Sequence, residues 1–185
     1  MSPNISGTNV DASTLAAMTV GYEHHEIHGG SHYFVDSVVE LTSGDVFDLQ
    51  WTTPDTAKWA HWTFAITCES ETDWYIYEDV EINVAGTAVT AMNNNRNSSK
   101  TSTAVIKSIE NASLELANAD TAVAGATLLA NGITGDNRVG GIVTREHEIV
   151  LAQDMDYCMR AVCSTNGYVN FRINWYEHTD KLATT

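Results

Sequence analysis

The chain has 185 residues, of which 43% are hydrophobic, and carries 9 basic against 24 acidic side chains for a formal net charge of −15. That length suits one domain with a real core, and the charge has the wrong sign for gripping phosphates, so nucleic acid is excluded as an expected partner. No run is long and apolar enough to span a bilayer, and Met1-Ser2-Pro3-Asn4-Ile5 lacks the basic and apolar parts of a secretory signal, so neither a membrane nor export is expected.

Residues 1–22 are small and polar and read as an extended N-terminal arm, with Leu15 and Met18 as its apolar contact candidates. Residues 23–185 read as a single domain of short strands. Tyr33 to Leu41 alternates, with Tyr33, Val35, Val39 and Leu41 on one face. Val46 to Trp51 follows the turn Ser43-Gly44-Asp45 and points Phe47, Leu49 and Trp51 inward. Trp62, Phe64, Ile66 and Cys68 form the next inward set, and Trp74 to Tyr77 and Ile82 to Val84 are two more short strands. Asn93 to Ser99 is a polar cluster that predicts a structured loop. Thr101 to Ile109 is β-branched and reads as a strand.

Residues 112–141 are rich in Ala, Gly and Asn and read as a long loop insertion, with Leu128-Leu129 as a short strand or an apolar docking tip. His147 to Leu151 is another strand. The C-terminal stretch predicts a β-hairpin: Met155 to Ser164 and Tyr168 to Tyr176 both alternate, and Asn166-Gly167 lies between them. Short strands separated by turn signals indicate an all-β antiparallel fold, a β-sandwich or a barrel.

Three cysteines, Cys68, Cys158 and Cys163, show no metal-ligand spacing and read as reduced, half-buried hydrophobes. Cys158 and Cys163 lie an odd number of residues apart on one strand and so face opposite ways. No nucleophile elbow, phosphate loop or dinucleotide fingerprint is present, so an enzyme is not expected.

The run His24-His25-Glu26-Ile27-His28 requires a metal test. Read as a strand, it places His24, Glu26 and His28 on one face, the beginning of a cupin-like metalloenzyme site. The later cupin ligand spacing is missing, and nothing selects a partner from His61, His147 and His178. The favoured reading is polar contacts between strands or subunits, with no metal and no cofactor. Gly29-Gly30 reads as a turn or bulge. Trp51, Trp62 and Trp74 alternate into the core, whereas Trp59, Tyr75 and Tyr77 face out and suit an interface. Taken together, Trp51, Trp59, Trp62, Trp74, Tyr75 and Tyr77 also suit a sugar-stacking platform, and the alternative function is a carbohydrate- or host-surface-binding, lectin-like module.

Three segments resemble the decoration (auxiliary head) proteins of tailed bacteriophages: Tyr22 to Val35, Ala91 to Ser98 and Phe171 to Glu177. The resemblance implies a jelly-roll-like sandwich and a structural virion protein. It implies a homotrimer that binds the major capsid protein on the capsid exterior and stabilises the shell after assembly in a bacterial cytoplasm. The interface candidates are Leu15, Met18, His24, His28, Trp59, Tyr75, Tyr77, Arg96, Leu128 and Leu129, and residues 1–22 and 112–141 are the expected capsid contacts.

Overall fold

A computed structural model describes residues 21–82, 84–112, 125–134, 141–144 and 148–179. Two antiparallel sheets pack face to face. In chain order the elements are α1 (Tyr22–Gly29), β1 (His32–Leu41), β2 (Val46–Thr52), β3 (Lys58–Cys68), β4 (Thr72–Glu78), β5 (Thr87–Ala88) and β6 (Met92–Asn93). They continue with β7 (Val105–Ala112), β8 (Thr127–Thr134), β9 (Gly141–Thr144), β10 (Ile149–Val150), β11 (Asp156–Cys163) and β12 (Gly167–Thr179). The first sheet runs β6-β1-β12-β3, and β9 and β10 pair with successive parts of β3. The second runs β5-β7-β2-β11-β4-β8.

The inward rows follow the alternation in the sequence. Phe47, Leu49 and Trp51 of β2 and Tyr157, Met159 and Ala161 of β11 meet Phe64, Ile66, Phe171, Ile173 and Trp175 of the other sheet. The aromatic rings interleave across the interface: Phe47 stacks on Phe171 at 4.8 Å, and Trp51 meets Trp175 edge to face at 4.4 Å. Such pairs contribute about 0.5–1.5 kcal/mol each beyond the area they bury.

The C-terminal strands are not a hairpin. β11 pairs with β2 and β4 in the second sheet, and β12 pairs with β1 and β3 in the first. Residues 164–166 therefore arch from one sheet to the other. Gly167 takes no positive φ there. It is needed for space instead, because a Cβ would lie 2.5 Å from Ser70 Oγ. Asn166 turns its side-chain carbonyl to accept from the Ser43 backbone N–H at 2.8 Å, tying two neighbouring arches together. Both strands have one apolar row, and crossing over lets those rows face each other across the core.

Four further expectations change. Ile82 to Val84 contains no described strand. The expected strand from Thr101 starts only at Val105, after a loop held by Glu177. Within residues 112–141, β8 is a full eight-residue strand at the edge of the second sheet, while 113–124 and 135–140 lie outside the described residues. The cysteines are free and fully buried, not half-buried.

Candidate functional site

Tyr22–Gly29 is a helix, not a strand. Its end carries the reason. Gly30 sits in the left-handed region at φ 73°, its N–H bonds Ile27 O, and the Ser31 N–H bonds Glu26 O. This double closure is the Schellman stop that glycine favours. The run carries one apolar residue per turn at most, so no helical period reveals it, and tertiary contacts hold it. Lys100 Nζ donates to Gly29 O at 2.8 Å, Asn95 Nδ2 to His28 O at 3.1 Å, and Asn93 Nδ2 to Gly30 O at 2.9 Å. The Asn-rich loop is thus structured, as its composition predicts, and it clamps the helix end.

Helical spacing separates the expected ligand trio. His24 and His28, four residues apart, meet with their Nε2 atoms 2.9 Å apart on the exposed side. Glu26 turns inward, is buried, and accepts from the Ser31 hydroxyl and from His25. Burial pushes the Glu26 carboxyl up, but the bonds from Ser31 and His25 outweigh it and leave it below its ordinary value. The cupin-like trio is therefore not formed, and among the described residues no group of three or more His, Cys, Asp or Glu could hold a metal ion.

A different cluster forms beside the helix, on the outer face of the first sheet. The register aligns His32 of β1, Tyr176 of β12 and His61 of β3 in one row. His32 is buried; its Nε2–H donates to Glu23 at 3.2 Å and its Nδ1 accepts from Asn94 at 2.7 Å. Tyr176 stacks on His61 at 4.5 Å, and His178 lies against both, 4.4 Å from His61 and 5.6 Å from Tyr176. Glu148, from the approach to β10, accepts from Tyr176 at 2.6 Å and from His61 at 3.2 Å. His61 and His178 thus have one another as neighbours, with their Nε2 atoms 2.7 Å apart. This grouping depends on pairing between strands far apart in sequence, so no local spacing announces it.

Desolvation pushes the His32 imidazole below its ordinary value of 6.5, and the Glu23 carboxylate pulls the other way without reversing it. The folded protein therefore refuses a proton that the unfolded chain accepts. The stabilisation from a neutral His32 is complete above 6.5 and is lost as pH falls through the window between 6.5 and the folded value. Urea denaturation from neutral to mildly acidic pH is expected to show stability rising with pH there, and His32→Gln to flatten the slope by up to about 1.4 kcal/mol per pH unit.

Part of the outer face of the second sheet is covered as well. Asp48 and Arg160, paired across β2 and β11, form a bidentate ion pair at 2.8 Å with side chains 0% and 4% exposed. Burial raises the Asp48 carboxyl, and the Arg160 guanidinium opposes that rise. Beside them Gln50 donates to Val84 O at 2.9 Å, which lays the chain after β4 over this face. Burial first, then the nearby Asp48 charge, pushes the Cys158 thiol well above its ordinary value and keeps it protonated.

The interface candidates scatter over this frame. Trp59 is exposed on β3, opposite His178 in register. Tyr75 and Tyr77 face outward from β4, half-buried and stacked at 5.9 Å, next to the Arg160 row. Arg96 lies in the helix-clamping loop and donates to Asn93 O at 3.4 Å. Leu128 is exposed at the start of β8, while Leu129 packs on the core. Leu15 and Met18 lie outside the described residues. No family model matches the chain, and no curated protein or solved structure does either.

Proposed function

We propose that this protein is a structural virion subunit, a homotrimeric decoration protein that binds the outside of a tailed-phage capsid and stabilises it. The observation that carries this reading is strand β8. It ends its sheet and presents an edge of eight residues without a charge, Thr127 to Thr134, in a chain of net charge −15. Leu128 and Ile133 are 48% and 69% exposed on it. Soluble proteins usually guard such edges with lysine, proline or a covering element. An edge that no described residue pairs with or covers fits a strand that is covered by a neighbour in an assembly.

The strand order supports the jelly-roll reading. β1-β12-β3-β9 and β2-β11-β4-β8 are two interlocked four-stranded sets, with β1/β2, β3/β4 and β11/β12 each split between the sheets. Adhesion of this kind acts by mass action: a subunit that binds only the assembled shell shifts the equilibrium toward it. Three joined copies add their modest contacts through effective concentration.

Sedimentation of the 20.2 kDa chain is expected to give a trimer. Virions with the chain are expected to show added density on the head by electron microscopy, lost on its deletion. Leu128→Lys with Ile133→Lys is expected to remove the head density. A monomer that leaves heads bare, with glycan-array binding abolished by Trp59→Ala, would instead establish the carbohydrate-binding alternative.

A further inference from the structure

We propose that His61 and His178 form a binding site for a divalent transition-metal ion of the zinc class, with Glu148 and Tyr176 orienting the first imidazole. The proposal rests on where the protons must be. Tyr176 gives its only hydroxyl proton to Glu148 at 2.6 Å, so its oxygen can only accept from His61 Nδ1 at 3.1 Å. Glu148 lies 3.2 Å from the same nitrogen and, as a carboxylate, also only accepts. Both contacts therefore place a proton on His61 Nδ1. On His178, Nδ1 lies 3.2 Å from the Thr179 carbonyl, which again can only accept, so that nitrogen also carries the proton.

With both Nδ1 atoms protonated, both neutral rings carry a bare lone pair on Nε2. Those two Nε2 atoms face each other at 2.7 Å. Two lone pairs at that distance repel unless a cation lies between them. A shared proton is one such cation; a metal ion is the other. Imidazole nitrogen suits zinc, copper and nickel, with metal–nitrogen bonds of about 2.0–2.1 Å. Bridging both rings at a tetrahedral angle needs the nitrogens to part to about 3.3 Å, a movement of roughly 0.6 Å that side-chain rotation supplies.

The surroundings are those of a metal-bound histidine. A ligand imidazole commonly donates its other N–H to a carboxylate or a backbone carbonyl, which fixes the tautomer and aims the lone pair. His61 uses the carboxylate and the phenol, and His178 uses the carbonyl. Among the described residues the site offers two imidazole nitrogens, and water would fill the remaining positions. His61 is 14% exposed at its side chain and Glu148 45%, so solvent reaches the site from one side. The exposed pair His24 and His28, with its Nε2 atoms 2.9 Å apart, serves as the internal control.

The test uses tag-free, chelator-stripped full-length protein titrated with Zn²⁺ against a chromophoric chelator. One ion per chain is expected. His61→Asn and His178→Asn are each expected to weaken binding at least about 100-fold, and Glu148→Gln about 10-fold. His24→Gln with His28→Gln is expected to leave the affinity unchanged. In the unsubstituted protein, long-range ¹H–¹⁵N spectra are expected to show the Nε2 resonances of His61 and His178 moving together on zinc addition, which reads the site without any variant. Absence of binding, with a proton shared between the rings as the sole bridge, overturns the proposal. So does zinc binding that survives both His61→Asn and His178→Asn or disappears with the helix pair.

Discussion

Arg160→Ala is expected to destabilise the protein by about 3–5 kcal/mol, a large share of a domain's typical 5–15 kcal/mol. The reason is what it leaves behind. Asp48 is fully buried, and the guanidinium satisfies both of its oxygens. Without it, a carboxyl group is stranded on the covered face of the second sheet. The companion variant separates this cost from the worth of the pair itself. Asp48→Leu with Arg160→Met replaces the ions by apolar groups of similar reach and is expected to be neutral or stabilising by about 1–4 kcal/mol. Guanidinium denaturation of the wild type, the single and the double variant measures both effects. A single variant within 0.5 kcal/mol of wild type, the usual range for a surface change, would mean that solvent reaches Asp48.

Phe171→Ala is expected to cost about 3–5 kcal/mol through lost burial and the cavity it leaves. Phe171 is 0% exposed and stacks on Phe47 across the two sheets. The inter-sheet contact has its own signature: a double-mutant cycle of Phe47→Leu with Phe171→Leu is expected to give a coupling of about 0.5–1.5 kcal/mol. Val38→Ala, on the outer face of β1 and 61% exposed, is expected to stay within about 0.5 kcal/mol of wild type. A Phe171→Ala loss no larger than that of Val38→Ala, read from the same denaturation curves, would place Phe171 outside the core.

The alternation of apolar residues makes the inner faces legible. The rows of β1, β2, β3 and β12 follow directly from period two, because one face of each strand meets the other sheet. Pairing is not legible in the same way. Asn166-Gly167 carries a strong hairpin signal, yet the turn there is an arch, since the contact partners of β12 lie more than 90 residues away in β3 and β1. Local turn chemistry says that the chain reverses; it does not say which strand lies beside it. The outer face of β2 escapes a period-two reading for a related reason. Val46, Asp48 and Gln50 occupy positions that alternation assigns to solvent, but the segment after β4 folds over part of that face.

The candidate site divides along the same line. His24 and His28 are close because they are near in sequence, although their helix is hidden behind a run of polar residues. His61, Glu148, Tyr176 and His178 come together only through the register of β3 with β12 and the approach of β10. Glu177, next in the chain, turns to the opposite face. There it accepts from the Thr103 N–H at 3.0 Å and the Trp175 indole at 3.1 Å, pinning the loop before β7. Two adjacent side chains thus serve separate structures because a strand alternates its faces.

The position of β12 in its sheet has a consequence for biosynthesis. β12 is the last described strand in the chain, yet it lies between β1 and β3, which have no shared hydrogen-bonded edge without it. While a ribosome is still making residues 167–179, the first sheet lacks its centre, and the inner rows of β1 and β3 have no common backing. Folding must then close loops of more than a hundred residues at once, the kind of long-range step that is slow and leaves apolar strands open to chaperones or to neighbouring nascent chains.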